Sequence, residues 1–164
     1  MGEVTISVVI PCRNEAPYIE ECIVAIYNSC ISSDVHLTVF VADGMSNDGT
    51  RDIVMRLKNQ YTSLYLLDNL KQLTPFAFNL GIHAQKFDFL QIVGARHIIS
   101  TNYIQNCIDK LLKDSSTWCV GGKINNEYLN EEGRAIAGAM GKTFGMGLGN
   151  FRTLEKSGFT DTVK

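Results

Sequence analysis

The stretch Ser7-Val8-Val9-Ile10-Pro11-Cys12-Arg13-Asn14-Glu15 and its counterpart Val39-Phe40-Val41-Ala42-Asp43-Gly44-Met45-Ser46-Asn47-Asp48-Gly49-Thr50 share one grammar. A β-branched apolar run breaks into a polar turn, and an amphipathic helix follows. Continuous apolar runs suit strands covered on both faces, the condition of a parallel sheet flanked by helices. In such a sheet the loops after adjacent strands converge on a crevice at the carboxyl ends, where ligands are held.

Outward from that pair, residues 4–10 read as the first strand, closed by Pro11. Pro17 suits a first helical turn, and Ile19, Cys22, Ile23, Ile26, Tyr27 and Cys30 recur at three-and-four spacing. Residues 35–42 form the second strand, and Thr50 caps a helix with Ile53, Val54 and Leu57 inward. A short third strand is expected over 64–67. The spacing then predicts a helix over 74–84, with Pro75 at its first position and Phe78, Leu80 and Ile82 facing inward. A fourth strand over 87–93 precedes a helix capped by Ser100 or Thr101, with the stripe Ile104, Cys107, Ile108, Leu111 and Leu112. Residues 117–120 read as a fifth strand ending at Gly121-Gly122. This alternation implies crossover units and a mostly parallel, doubly wound α/β sheet with helices on both faces. From Gly133 onward, Gly138, Gly141, Gly145, Gly147 and Gly149 disfavour a regular helix. The organisation read from the chain is therefore an α/β domain over 1–132 and a glycine-rich segment over 133–164.

Composition narrows the function classes. The 164 residues, 45% apolar and 20% charged, suffice for one domain with a core. Net charge is -2 and no Lys/Arg run marks one face, so nucleic acid is not an expected partner. Met1-Gly2-Glu3 leads into a strand without a basic n-region, and no run approaches the roughly 18 apolar residues of a membrane span. The expected location is cytoplasmic, with a peripheral position on the inner face of the membrane as the variant. Five cysteines without a CxxC pair argue for reduced thiols rather than disulfides or structural zinc. Cys22, Cys30 and Cys107 are read on apolar helix faces; Cys12 lies beside the crevice, with no histidine spaced to activate it. His36 and His83 are read as satisfied structural residues. Gly145-Met146-Gly147-Leu148-Gly149 lacks the preceding strand that a dinucleotide fingerprint requires.

The two strand-end loops offer Asp43 and Asp48 as acceptors and Arg13 and Asn14 as donors. Uracil and ribose present amide and hydroxyl groups that such partners satisfy. For Asp48 the competing reading, an Asx turn leading into Thr50, is preferred; for Asp43 a ligand role is preferred. Asn14 and Glu15 fit either a helix start or the ligand.

The first 120 or so residues resemble the nucleotide-binding half of family 2 glycosyltransferases of the GT-A fold, nearest to the succinoglycan-type exopolysaccharide group. Ser7 to Pro11 with Arg13-Asn14-Glu15 is similar to the family's first strand and loop, and Asp43-Gly44 with Ser46 to Thr50 to its second. Phe78-Asn79-Leu80-Gly81-Ile82 resembles the segment before the central strand, and Phe144-Gly145-Met146-Gly147 with Phe151-Arg152 a later glycine-rich stretch. The resemblance implies inverting transfer of a sugar from a nucleotide sugar, UDP-linked, to a saccharide or lipid-linked acceptor, in polysaccharide synthesis at the cell envelope. It places Pro11, Arg13, Asn14, Glu15, Asp43, Gly44, Ser46, Asn79, Gly94, Ala95 and Arg96 at the nucleotide-sugar site. It also implies Mg²⁺ or Mn²⁺.

Two departures qualify that implication. Where the family carries an acidic metal-binding motif this chain has Gly94-Ala95-Arg96, and neither glycine nor a guanidinium supplies an oxygen ligand. Three readings stay open: Arg96, helped by His97, replaces the cation at the diphosphate; the site has decayed to a non-catalytic nucleotide-sugar binding or scaffold domain; or Arg96 faces solvent and another carboxylate serves a metal. Asp68 and Asp88 are the nearest acidic candidates, Asp88 at the wrong end of its strand. Second, the resemblance puts the general base later than the last matched segment, beyond Lys164, with Asp161 only a weak stand-in. An exposed edge on a shortened sheet would favour pairing with a second copy, so a homo-oligomer is an expected partner state. A dinucleotide oxidoreductase is disfavoured because no glycine-rich turn follows the first strand.

Overall fold

The computed structural model describes residues 2–123, 131–140 and Gly158. The chain divides into two compact units, Met1–Ile108 and Asp109–Lys164. The first unit holds four strands, β1 (Val4–Cys12), β2 (Val35–Asp43), β3 (Leu64–Asp68) and β4 (Phe89–Ile92), all parallel in the order β3-β2-β1-β4. Helices α1 (Ile19–Tyr27), α2 (Thr50–Lys58) and α3 (Thr74–Ala84) connect them in alternation, as the sequence pattern predicts, and α4 (Tyr103–Lys113) runs across the division between units.

The sheet is covered on both faces. Ile6, Val8 and Ile10 of β1 and Val39 and Val41 of β2 share one core with Ile19, Cys22, Ile23 and Ile26 of α1, Val54 and Leu57 of α2, and Ile104 and Ile108 of α4. Alternation sends Val9, Phe40 and Ala42 to the opposite face, where α3 lies. There the inward residues are Ala77 and Gly81, not the expected Phe78, Leu80 and Ile82. The reason is proximity: a Cβ at Gly81 would meet Val9 Cγ2 at 2.3 Å, so only small residues admit the helix to the sheet.

Strand ends also differ from expectation. Pro11 does not close β1, which continues to Cys12 with Pro11 opposite Ala42. On the other side of β1 the β4 ladder has already ended, its last bond running from the Val93 N–H to the Val9 carbonyl at 3.1 Å. The N–H that proline lacks would thus point where no strand remains to accept it. No fifth strand forms over 117–120: Asp114 accepts from the Ser116 N–H at 2.9 Å and from the Thr117 hydroxyl at 2.9 Å, tying this segment into a turn, and Trp118 is 93% exposed. Gly133 and Gly138 lie inside α5 (Glu131–Met140), so glycine does not end the helical pattern where expected. Cys30 is exposed beyond the end of α1, and His36 and His83 are surface residues, His36 lying 3.5 Å from Glu3. The glycine-rich stretch 141–157 and Asp161 lie outside the described residues.

Candidate nucleotide-sugar site

Register brings Cys12, Asp43 and Asp68 into one row across the carboxyl ends of β1, β2 and β3. Two carboxylates side by side repel, and Arg51, from the first turn of α2, bridges them: Nη1 donates to Asp43 at 2.8 Å and Nη2 to Asp68 at 2.7 Å. Asp43 is fully buried. Its oxygens also accept from the Ser46 N–H at 2.9 Å, from the Ser46 hydroxyl, and from the Cys12 thiol at 3.6 Å. Burial pushes the Asp43 carboxyl up, but donors from Ser46, Arg51 and Cys12 outweigh it and hold the group below the ordinary range. The same burial, then the Asp43 charge, pushes the Cys12 thiol far up, so it is a donor rather than a nucleophile.

The loops after β1 and β2 are stitched together. The Asn14 N–H donates to Ser46 Oγ at 2.8 Å, the Asn47 N–H to Asn14 Oδ1 at 3.0 Å, the Glu15 N–H to Thr50 Oγ1 at 2.9 Å, and the Ala16 N–H to Asp48 Oδ2 at 3.0 Å. Asp48 also accepts from the Thr50 N–H at 3.0 Å, which is the turn role preferred for it from sequence. Thr50 is the first residue of α2 rather than its cap; Gly49, at φ 96°, holds that place in a conformation that favours glycine. Asn14, Met45 and Gln72 also have positive φ (55°, 59° and 58°), one in each loop that follows β1, β2 and β3.

Between these loops and α3 opens a cavity of about 240 Å³ lined by Pro11, Cys12, Arg13, Glu15, Ala42, Gly44, Asn69, Gln72, Leu73, Thr74 and Ala77. Of the residues expected at the site, Pro11, Arg13, Glu15 and Gly44 line it. At Gly44 the fit is tight, with Cβ and Cδ of Arg13 3.2 and 3.3 Å from where a Cβ would stand. Asn14, Asp43 and Ser46 form the network behind it, and Asn79 is exposed on α3 outside this lining. Gly94, Ala95 and Arg96 follow β4 and join through one contact: Arg96 Nε donates to Glu15 Oε2 at 2.7 Å, with the guanidinium 5.2 Å from the Tyr18 ring centroid. Its two Nη groups have no partner among the described residues. Sequence reasoning missed Asn69, Gln72, Leu73, Thr74 and Ala77. The signal was the polar turn Asp68-Asn69-Leu70-Lys71-Gln72 between a strand and Pro75, the grammar already read twice upstream.

The loop after β4 does not fit a hard divalent cation. A Cβ at Gly94 would stand 3.1 Å from the His97 imidazole, whose Nδ1 faces the Gly94 N–H at 3.3 Å, and Arg96 brings positive charge rather than oxygen. Among the described residues no group of three or more His, Cys, Asp or Glu could hold a metal ion. Asp88 lies at the amino end of β4, accepting from the Thr5 N–H at 2.8 Å. Among the same residues no helix is long and apolar enough to cross a membrane.

A parallel sheet with helices on both faces and a cavity at its carboxyl ends is the architecture of the GT-A glycosyltransferases. The chain belongs to glycosyl transferase family 2, whose family model matches residues 7–158. It is 27% identical over 163 residues to the dolichyl N-acetyl-alpha-D-glucosaminyl phosphate 3-beta-D-2,3-diacetamido-2,3-dideoxy-beta-D-glucuronosyltransferase of Methanococcus voltae, covering 96% of this chain and 50% of that protein. It is 32% identical over 107 residues to the succinoglycan biosynthesis protein ExoA of Rhizobium meliloti, covering 64% of this chain and 32% of that one. Among solved structures, the mannosyltransferase PcManGT of Pyrobaculum calidifontis, in complex with GDP-Man and Mn²⁺, superposes with a TM-score of 0.63 at 27% identity, covering 71% of this chain and 35% of that chain. The chain thus spans half or less of the length of these relatives.

Proposed function

We propose that this chain carries the donor-binding part of an inverting glycosyltransferase that moves a sugar from a UDP-sugar to a saccharide or lipid-linked acceptor. The observation that carries this reading is the cavity at the carboxyl ends of β1 and β2, with Arg13 and Glu15 on its wall and Arg96 tied to Glu15. At about 240 Å³ it is smaller than the 300–1,000 Å³ typical of pockets for whole drug-sized ligands, which suits one portion of a nucleotide sugar. The relatives' names, a glucuronosyltransferase and a mannosyltransferase holding GDP-Man, support the reaction class.

Transfer leaves negative charge on the departing diphosphate, and that charge needs a positive partner in place before reaction. The Nη edge of Arg96, without a partner among the described residues, supplies a planar pair of donors suited to phosphate oxygens, and the Glu15 bond and the Tyr18 ring hold it in place. Asp43, closed in by Ser46 and Arg51, acts in this reading by fixing the loops that carry Arg13 and Glu15. A second reading, a nucleotide-sugar binding or scaffold domain without catalysis, draws on the poor fit of Gly94-Ala95-Arg96 to a divalent ion.

Calorimetric and thermal-shift titration with UDP and UDP-sugars, with Mn²⁺ or with chelator, tests the proposal. Saturation at a hundredfold excess over Kd corresponds to about 2.7 kcal/mol of added stability. The reading expects stabilisation by UDP that survives chelator and weakens in Arg96→Ala. Stabilisation abolished by chelator removes the Arg96 role, binding without turnover in the presence of acceptor favours the scaffold reading, and no shift with any nucleotide refutes the donor site.

A further inference from the structure

We infer that one flank of α3, with the turn ahead of it and Tyr65 on the same face of the sheet, is a docking surface for an anionic lipid bilayer that sets the cavity at the membrane; this rests on the lipid-linked form of the acceptor in the reading above. The helix packs on β1 and β2, and its buried residues are the small Ala77 and Gly81. Its larger apolar side chains are therefore not what holds it to the sheet. Leu73, Phe76 and Leu80 recur at i, i+3 and i+7, which puts them on one flank. All three are exposed, as is Leu70 in the turn ahead, over a range from 37% at Leu80 to 73% at Leu70. Tyr65 is exposed too, and it stacks on Phe40, whose side chain lies on the α3 face, so both rings belong to that face. Large apolar residues gathered on one surface in this way mark a site of interaction.

Charge selects what lies against it. No carboxylate occurs between Asp68 and Asp88, in a chain that carries 17 of them. Lys71 and Lys86 are exposed toward the two ends of that stretch, and Lys58 Nζ stands 5.9 Å from the Tyr65 ring centroid. Among the described residues none of these three lysines is in an ion pair. The two bordering carboxylates are engaged, Asp68 by Arg51 at 2.7 Å and Asp88 by the Thr5 N–H at 2.8 Å. Leu, Phe and Tyr side chains set among unpaired ammonium groups suit the boundary between headgroups and acyl chains, where apolar tips enter and the lysines meet phosphate and carboxylate. The net charge of -2 would repel the molecule as a whole from such a surface, so attraction has to come from this face. Position completes the argument. Leu73 belongs both to the exposed flank and to the cavity lining, so a bilayer met by α3 also meets the rim of the cavity, where a lipid-linked acceptor would be presented.

Co-sedimentation and flotation of the full chain with phosphatidylcholine vesicles, with and without phosphatidylserine, test the assignment. Binding should appear on the anionic vesicles, weaken as salt rises, and be about tenfold weaker or more on phosphatidylcholine alone. Each of Lys58→Gln, Lys71→Gln and Lys86→Gln should weaken it about fivefold and the three together roughly a hundredfold, whereas Lys110→Gln on α4 should leave it unchanged. Leu70→Ser combined with Phe76→Ser should weaken it about tenfold, and Leu70→Ser alone, at the most exposed of these positions, keeps the test open if the pair lowers Tm. No binding at millimolar lipid, equal binding to both kinds of vesicle, or an equal loss in Lys110→Gln overturns the assignment. So does a dimer in analytical ultracentrifugation that Leu70→Ser dissociates, because a second copy would then cover the flank. UDP affinity measured on the same preparations separates the two readings: UDP binding without vesicle binding removes the docking surface alone, and vesicle binding without UDP binding removes the donor reading alone.

Discussion

The loops after β1 and β2 and the turn after β3 occupy the same end of one sheet, yet they are built oppositely. In the first pair, side chains of Asn14, Ser46, Asp48 and Thr50 are consumed by backbone N–H groups across the gap, and Asp43 is closed in by Ser46, Arg51 and Cys12. In the turn after β3, Asn69 Oδ1 has no hydrogen-bond partner among the described residues, while Leu70 and Leu73 are 73% and 57% exposed. A region whose polar groups are paired internally is held as scaffold, whereas the turn after β3 sets exposed apolar side chains beside the cavity. Asp43 and Asp48, the residues that look most like ligands in the sequence, have oxygens occupied by donors of the protein itself.

Breaking the scaffold should cost most. Asp43→Asn removes the charge that Arg51 and Ser46 surround, and a buried pair broken from one side costs about 3–5 kcal/mol; retention of Asp68 by Arg51 sets the expectation at about 3 kcal/mol, read from the urea midpoint. The same network predicts acid sensitivity. Because the folded Asp43 carboxyl lies below its ordinary 3.8, its contribution is complete above that value and is lost as pH falls through the lower folded one. Urea midpoints measured downward from about pH 5 should therefore decline below about pH 4, with a shallower decline in Asp43→Asn.

Gly81→Ala comes next, at about 1–3 kcal/mol, because the new methyl meets a buried, β-branched Val9 that has no room to move. Thermal unfolding of that variant should show it, and an unchanged Tm would mean that α3 does not pack this closely. Thr50→Val, which keeps shape but strands the Glu15 N–H, should cost about 1–2 kcal/mol by the same measurement. Arg96→Ala should change stability by less than about 1 kcal/mol, since its ion pair is open to solvent, while lowering affinity for UDP and leaving that for uridine unchanged. That split sharpens the comparison: a scaffold residue moves stability, a recognition residue moves affinity.

The α/β architecture was legible because it depends on coarse features. Apolar β-branched runs at residues 4–10, 35–42 and 64–67, each followed by a polar turn and a helical stripe, leave few alternatives to a parallel sheet. What was not legible depended on proximity and pairing. Nothing local announces that Gly81 must touch Val9, so the bulkier Phe78, Leu80 and Ile82 were read inward. Residues 117–120 carry strand-like types, but a strand needs a neighbour, and Asp114 ties Thr117 into a turn instead. Arg13, Glu15 and Gly44 line the cavity, a position that follows from their place directly after a strand. Asn69 is not legible that way because nothing local marks a polar residue of a turn as one that will be buried.

In the proposed function the carboxyl ends of β1, β2 and β3 receive a nucleotide. The most direct measurement is amide chemical-shift mapping of the nitrogen-15-labelled chain during titration with UDP. Saturable shifts should concentrate at Arg13, Glu15, Gly44, Asn69 and Gln72, with little change at Thr5 and Asp88 at the opposite end of the sheet. Shifts centred on Thr5 and Asp88, or none at millimolar UDP, would contradict it.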